Sequence, residues 1–270
     1  MTYSGSSTFF YCYRHTQGNI AITINLQGMK KMFSLMLVIT SILCFTACSG
    51  ENEEERPNIP TSRYMKVGES FNLGYQSDWV SSNTFAATVD NMGVITAVRK
   101  GTANIYSTSK DLSCNVSVSP TYTLYSEPIT QWGVSKNSVI SKKGTADSNV
   151  DSGLGYSTGN SIAPLEMYLF KNDKLYASAI LVKTTYTDEL VEHLSQRYKP
   201  VYVDTENYSF YFIDAETVAD TETVVVAQLY NVNYWQVMYM ENTTTRSAIN
   251  ENELFEIVKS EIESIGIIEE

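Results

Sequence analysis

The sequence predicts a β-sandwich followed by an α+β domain of helices packed on an antiparallel sheet. Across residues 63–119, short runs of alternating apolar and polar residues are separated by turn residues, which is typical of a sandwich. From Pro120 onward, segments with helical spacing alternate with β-branched and aromatic runs. The length of 270 residues also fits two domains better than one.

The composition indicates a folded, strand-rich chain with an acidic surface. Aromatic residues make up 12% of the chain, and the formal net charge is −11. Nucleic-acid phosphates and anionic lipid headgroups both attract proteins through clustered Lys and Arg side chains. We therefore expect no nucleic-acid partner and no docking on headgroups through protein charge.

Residues 29–47 have the order of a secretory signal peptide. Two lysines precede the apolar run FSLMLVITSILCF (33–45), which is shorter than the ~20 residues of a comfortable membrane span. A transmembrane anchor is the alternative interpretation. The FTAC that follows resembles the bacterial lipobox, although Phe45 stands where Leu is usual. The resemblance implies that Cys48 is acylated, becomes the N-terminus, and holds the protein to outer-membrane lipid.

The segments on either side of the signal peptide are not expected to fold. Residues 48–62 form an acidic linker, and its SGENEEE (49–55) resembles the signal that exports Bacteroidetes lipoproteins to the cell surface. A plain solvated linker is the alternative reading of this charge run. Residues 1–28 have no place in a signal peptide, and we interpret them as an extension from a start codon assigned too early. The expected localisation is an outer-membrane lipoprotein exposed at the cell surface.

Residues 63–119 carry the sandwich prediction. A turn is expected at DNMG (90–93), between two β-branched runs. In LSCNVSVS (112–119), alternate side chains share one face of a strand, so Cys114 should point into a core as a structural thiol. The sequences VGES (67–70) and WVSSNTFAATVDNMGVITAVRKGTANI (79–105) resemble the bacterial immunoglobulin-like group 2 domain. The resemblance implies a small Ig-like sandwich, used as a spacer or adhesive module, with no catalytic residues.

Within that pattern, three residues have a clear physical role. Trp79 would fill the space between the two sheets. Gly93 and Gly101 fall where tight turns require a positive φ.

The second predicted domain spans residues 120–270. SKNSVISKKG (135–144) has a Ser N-cap and a Gly stop, which indicates a short helix. A hairpin is expected to turn at Asn172 and Asp173, and a second helix to begin at its N-cap Thr187 and end before Pro200. The runs YSFYFIDAE, ETVVVAQLY and NYWQVMYM predict a three-strand meander. This order of elements resembles the β-lactamase-inhibitor protein and small outer-membrane assembly lipoproteins.

The end of the sequence predicts a terminal helix. Leu254, Val258, Ile262 and Ile265 recur at helical spacing. We expect this helix to pack on the second domain, because its glutamates would be repelled by an anionic membrane surface.

Candidate catalytic groups do not form a recognisable set. Carboxylate neighbours such as Asp188/Glu189 and Asp214/Glu216 are not by themselves a glycosidase pair, which needs two carboxyls held across a cleft. His193 is expected on a solvated helix face. Because the predicted mature chain has one His and two Cys, we expect no metal site, no cofactor and no enzymatic activity.

The strand NYWQVMYM (233–240) is the predicted binding element. Trp235, Val237 and Tyr239 share one face of it, and Tyr234, Gln236 and Met238 share the other. One face should be core and the other exposed, so the candidate binding residues are Tyr234, Trp235 and Tyr239. Aromatic side chains suit contacts with glycans or with host or partner proteins.

The sequence thus predicts a lipid-anchored cell-surface protein in which an Ig-like spacer presents a binding or adhesion domain. One alternative is an inhibitor or assembly factor that faces the periplasm. The other is an accessory enzyme of glycan degradation.

Overall fold

The computed structural model describes residues 57–206 and 208–242, and three β-sheets form the framework of these residues. The first seven strands lie between residues 62 and 119. They are β1 (Ser62–Lys66), β2 (Ser70–Asn72), β3 (Trp79–Ser81), β4 (Ala87–Val89), β5 (Val94–Ala97), β6 (Gly101–Ser107) and β7 (Ser113–Ser119). These seven strands, with the loops between them, are called the sandwich half (residues 57–119).

Two sheets face each other in the sandwich half. One has the strand order β1-β7-β6-β3, and the other has the order β2-β5-β4. All pairings are antiparallel except that of β1 with β7, which is parallel. Side chains from both sheets form one hydrophobic cluster, so the predicted sandwich is present.

Trp79 and Cys114 lie in this cluster, as the sequence predicted. The Trp79 indole nitrogen donates a hydrogen bond of 2.8 Å to the carbonyl oxygen of Tyr75. Gly93 closes the predicted turn with a φ of 79°, and a Cβ there would lie 2.7 Å from that same carbonyl. Glycine is therefore required at position 93 both by the backbone conformation and by the close approach of the 75–79 segment.

The remaining eight strands form one antiparallel sheet, which we call the large sheet. They are β8 (Ser148–Val150), β9 (Gly153–Ser157), β10 (Leu165–Lys171), β11 (Lys174–Lys183), β12 (Lys199–Asp204), β13 (Ser209–Ile213), β14 (Thr223–Leu229) and β15 (Tyr234–Glu241). Their order is β12-β13-β14-β15-β11-β10-β9-β8. The sheet therefore consists of two four-strand meanders joined where β11 pairs with β15.

The predicted turns and meander are found in this sheet. Asn172 and Asp173 connect β10 to β11 with φ values of 54° and 58°, as a two-residue hairpin turn requires. Strands β13, β14 and β15 are neighbours, which confirms the three-strand meander. Strands β8 and β12 were not predicted.

Two short α-helices accompany the large sheet, α1 (Lys136–Lys143) and α2 (Thr187–Ser195). The side chain of Ser135 caps α1, and Gly144 ends it, as predicted. The N-cap of α2 is Tyr186, because Thr187 already has helical dihedral angles and its hydroxyl donates to the carbonyl of Thr184. Among the described residues, no helix has the length and apolar character needed to cross a membrane.

The chain is β-rich, and its helical part is smaller than the predicted helix layer. Helices α1 and α2 have eight and nine residues and lie on one face of the large sheet. Val139 of α1 packs against Leu154 and Tyr168, and Leu190 and Leu194 of α2 pack near β14 and β15. All described residues belong to one compact unit. The predicted signal peptide, the predicted acylation site Cys48 and the predicted terminal helix lie outside the described residues.

We predict that replacing Trp79 destabilises the protein strongly. In the soluble form (residues 49–270), Trp79→Ala should lower the free energy of unfolding by ~3–5 kcal/mol, the usual loss for a buried aromatic side chain. Urea denaturation measures this change. The control is Val80→Ala, because Val80 is the next residue of the same strand and is exposed. This substitution should lower the free energy of unfolding by only about 0.5 kcal/mol. Equal stability of the two variants would show that Trp79 does not hold the sandwich together.

Candidate functional site

Both faces of the predicted binding strand are buried. Strand β15 lies in the middle of the large sheet, with β11 on one side and β14 on the other. Trp235 is 2% exposed and Tyr239 is 0% exposed, while Tyr234 is half-buried at the start of the strand. The expectation that one face of this strand is exposed was therefore wrong.

The polar groups of the two buried aromatic residues are occupied within the core. The Trp235 indole nitrogen donates to the Thr187 hydroxyl oxygen at 2.8 Å, which ties α2 to β15. The hydroxyl groups of Tyr239 and Tyr125 are hydrogen-bonded at 2.8 Å. Burial raises the pKa of Tyr239 well above its usual range. Trp235 and Tyr239 thus hold the helix layer to the sheet, and they are not available to a ligand.

His193 is also buried, contrary to the sequence prediction. Its Nδ1 atom accepts a hydrogen bond of 3.0 Å from the backbone nitrogen of Leu124, and its ring lies 4.2 Å from that of Tyr125. Burial, together with the positive charge of Arg197, lowers the pKa of His193 to about 3. The segment 121–125 covers the face of α2 that the helical pattern left polar, and no local signal in the sequence shows this contact.

A polar network surrounds Glu127, where the sandwich half meets the large-sheet half (residues 120–242). The Tyr198 hydroxyl donates to Glu127 Oε1 at 2.7 Å, and Arg197 Nε lies 3.5 Å from Glu127 Oε2. Lys100, from the turn between β5 and β6, forms an ion pair with the same carboxylate. Burial alone would raise the pKa of Glu127, but the hydrogen bonds from Lys100 and Tyr198 and the charges of Lys100 and Arg197 outweigh it and lower the pKa.

Gln196, just after α2, completes this junction. Its side-chain oxygen accepts from the backbone nitrogens of Thr121 and Tyr122, at 2.7 and 3.2 Å. Its backbone carbonyl accepts from the nitrogen of Lys100 at 2.8 Å. One residue thus bonds both to the sandwich half and to the segment that leaves it, so the two halves are held by a buried hydrogen-bonded contact.

The most exposed apolar stretch of the large sheet is at its edge. Val201, Tyr202 and Val203 of β12 are 46%, 61% and 39% exposed, and we call them the edge patch. The Tyr202 ring lies 5.6 Å from the ring of Tyr211 on the neighbouring strand. The prediction missed this strand because it ended the helix before Pro200 and took the following residues as a connection. The alternating valines and tyrosine of PVYV were the available signal.

Two features of β12 disfavour the pairing of another strand with its free edge. Pro200 lacks a backbone donor, and the register with β13 shifts between Pro200 and Tyr202. Both are devices by which edge strands avoid open-ended pairing with other chains. The edge patch is therefore better suited to contacts made by side chains than to extension of the sheet.

The comparison with family models identifies the sandwich half. Residues 71–122 match the bacterial Ig-like domain (group 2). The match runs from β2 to just beyond β7 and confirms the resemblance seen in the sequence. No curated protein matches the chain significantly. The Ig-like match covers the part of the chain that supplies Lys100 to the junction, and it ends before Glu127.

Two of the carboxylates considered as catalytic candidates, Asp214 and Glu216, have structural partners. Asp214 accepts from the backbone nitrogens of Glu222 and Thr223, at 3.0 and 2.9 Å, and so holds the start of β14. Glu216 forms an ion pair with Lys199. Within residues 57–206 and 208–242, no three or more His, Cys, Asp or Glu side chains are grouped to hold a metal ion.

We predict that His193 makes the protein less stable in mild acid. The folded state keeps His193 neutral down to a pKa of about 3, whereas the unfolded chain takes up a proton below 6.5. The stability is therefore complete above pH 6.5 and falls as the pH is lowered toward 3. At pH 5 the loss should be about 2 kcal/mol, because one pKa unit corresponds to about 1.4 kcal/mol.

Urea denaturation of the soluble form at pH 7 and pH 5 measures this loss. His193 is the only histidine in residues 49–270, so His193→Gln removes all histidine titration while retaining an acceptor for the Leu124 nitrogen. The variant should lose less than half as much stability as the native protein between the two pH values. An equal loss in both proteins would contradict the burial of a neutral imidazole.

Proposed function

We propose that this protein is a lipid-anchored cell-surface protein in which the Ig-like half is a spacer that presents the large-sheet half for binding. In this proposal it acts by binding and catalyses no reaction. The observation that carries the proposal is the match of residues 71–122 to the bacterial Ig-like domain, a resemblance that implies a spacer or adhesive module. The large-sheet half, which follows that match, is then the part that is presented.

The junction supports a spacer role. The hydrogen bonds of Gln196 to Thr121 and Tyr122, and the Lys100–Glu127 ion pair, leave no free linker between the two halves. A buried contact of this kind transmits the orientation of the spacer to the presented half. An articulated linker would instead allow the presented half to turn back toward the membrane.

The sequence before the Ig-like half supports anchoring through Cys48. FTAC resembles the bacterial lipobox, and the acidic run after it resembles the export signal of surface lipoproteins. Residues 49–61 separate Cys48 from β1, and at ~3.3–3.6 Å per residue an extended chain of this length reaches about 45 Å. A tether of this length would hold the Ig-like half clear of the lipid surface.

The edge patch is the contact surface in this proposal, and its partner is a protein. Tyr202 is 61% exposed, and exposed tyrosines are enriched at protein interfaces. The patch carries no charge, so binding should persist in salt that screens the acidic remainder of the surface.

We predict that Cys48→Ser releases the protein from the membrane. Without the thiol no acyl chain can be attached, and each buried CH₂ of the chains contributes ~0.8 kcal/mol to anchoring. The measurement is palmitate incorporation together with the fraction of protein in the membrane pellet, and both should fall to background. Cys44→Ser, four residues upstream, is the matched control and should change neither quantity.

Protease treatment of intact cells tests the surface location separately. Loss of the native protein supports surface exposure, whereas full protection would place it in the periplasm and favour an inhibitor or assembly factor. If Cys48→Ser protein remains labelled and in the membrane, lipid anchoring at this residue is wrong.

We predict that Tyr202→Ala weakens binding about tenfold, because tyrosines at interface centres commonly contribute more than 1 kcal/mol. The soluble form is applied to an array of immobilised proteins and glycans, and the variant is compared on the spots that bind the native protein. The control is Tyr64→Ala, since Tyr64 is 83% exposed on the edge strand β1 of the Ig-like half.

The two tyrosine variants separate the possible outcomes. Loss of binding with Tyr64→Ala alone would make the Ig-like half the adhesive part. Unchanged binding with Tyr202→Ala would exclude the edge patch. Native binding confined to glycan spots would replace the protein partner by a sugar.

A further inference from the structure

The face of the large sheet opposite the two helices is apolar, and we call it the second face. It is formed by four neighbouring strands, β10, β11, β15 and β14. Its buried members are Leu165, Met167, Leu169, Ala177, Ala179, Leu181, Val226, Met238 and Met240. These side chains make a hydrophobic surface across the centre of the sheet, interrupted by the buried polar residue Gln236.

The second face is buried, but the described residues provide no layer above it. Its members are between 0% and 7% exposed. The residues of the described ranges that pack against them are Tyr176, Tyr211, Val224, Tyr230 and Tyr234, and all belong to the strands of the same sheet or to the connection between β14 and β15. A sheet face needs a second layer of secondary structure to be removed from water. The occupant of this face therefore comes from outside the described ranges.

Gln236 is a second sign of an occupant. It lies on the second face between Tyr234 and Met238, is 0% exposed, and pairs in register with Leu181 of β11 and Gln228 of β14. Among the described residues, neither its side-chain nitrogen nor its side-chain oxygen has a hydrogen-bond partner. A fully buried amide without a partner does not occur on a solvated sheet face, where water would satisfy it.

We propose that residues 254–265 of this chain form a helix that covers the second face. The chain reaches this face directly, because β15 ends at Glu241 and the segment 243–270 follows. The apolar residues Leu254, Val258, Ile262 and Ile265 fall on one side of a helix. Glu256 and Glu263 lie about 200° and 180° around the axis from Leu254 and face away from it, whereas Glu261 lies about 20° from Leu254, beside the apolar stripe.

The dimensions of the segment match those of the second face. Residues 254–265 are 12 residues, and a helix of that length is ~18 Å long at 1.5 Å per residue. Four strands at a spacing of ~4.8 Å extend about 15–20 Å across the sheet, so one such helix crosses all of them. The segment thus has the length, the apolar stripe and the attachment point that the uncovered face requires.

The first test measures the accessibility of the second face with and without the segment. In the soluble form, Met240→Cys should react slowly with a maleimide, and removing residues 243–270 should accelerate the reaction at least about tenfold. Val237→Cys, on the helix-covered face of the same strand, is the control and should stay protected in both lengths. The native Cys114 is fully buried and gives little background. Protection of Met240→Cys after truncation would mean that another occupant covers the face, and would overturn the proposal.

A second test uses the full soluble form without truncation. It is needed if the truncated protein unfolds, because unfolding would make both Met240→Cys and Val237→Cys reactive. Single cysteines are placed in the full soluble form at Val258, on the apolar side of the segment, and at Glu256, on its acidic side. Glu256→Cys should react at least about tenfold faster than Val258→Cys. Equal rates at the two positions would show that the segment covers nothing, and would overturn the proposal.

Discussion

The pairing of β11 with β15 is the contact on which the large-sheet half depends. Seven residue pairs, from Ala177↔Met240 to Lys183↔Tyr234, join the two meanders into one sheet. Because each meander is built from neighbouring segments, this pairing is the long-range step that makes both strands central. Trp235 and Tyr239 are buried because β15 is a central strand. The pairing of β11 with β15 therefore both joins the sheet and keeps these two aromatic side chains away from the surface.

The helix-covered face of this sheet is held by polar as well as apolar contacts. Tyr125 and Tyr239 share a hydrogen bond, His193 accepts from the backbone of Leu124, and Glu127 gathers Lys100, Arg197 and Tyr198. Buried polar groups are costly unless each finds its partner, so such a network favours one arrangement of α2, the 121–127 segment and the sheet. Lys100 extends this arrangement to the Ig-like half, so the orientation of the two halves depends on the same network. The two halves therefore form one compact unit.

The surfaces left for interaction differ in character. The edge patch on β12 is exposed, uncharged and protected against sheet extension by Pro200 and the shifted register. The second face is far more apolar, and an uncovered surface of that kind would be expected to associate with other chains. A cover supplied by the chain itself leaves the edge patch as the principal apolar feature of the large sheet. The proposed binding site and the proposed internal cover are thus compatible and can be tested independently.

The sequence by itself determined the features that depend on neighbouring residues. Alternation and turn chemistry predicted the sandwich with Trp79 and Cys114 inside, the 172–173 hairpin and the β13–β15 meander, because strand period and turn dihedral angles are local properties. The lipobox-like residues around Cys48 likewise predict an anchor from a short motif. Tertiary structure alone decided what is exposed. Tyr234, Trp235 and Tyr239 were predicted to bind because an aromatic strand is as suited to a surface as to a core, and the distinction depends on whether neighbours pair on both sides. His193 was expected in water because the segment that buries it lies about seventy residues earlier in the chain, and a contact at that separation leaves no mark on the local pattern of α2.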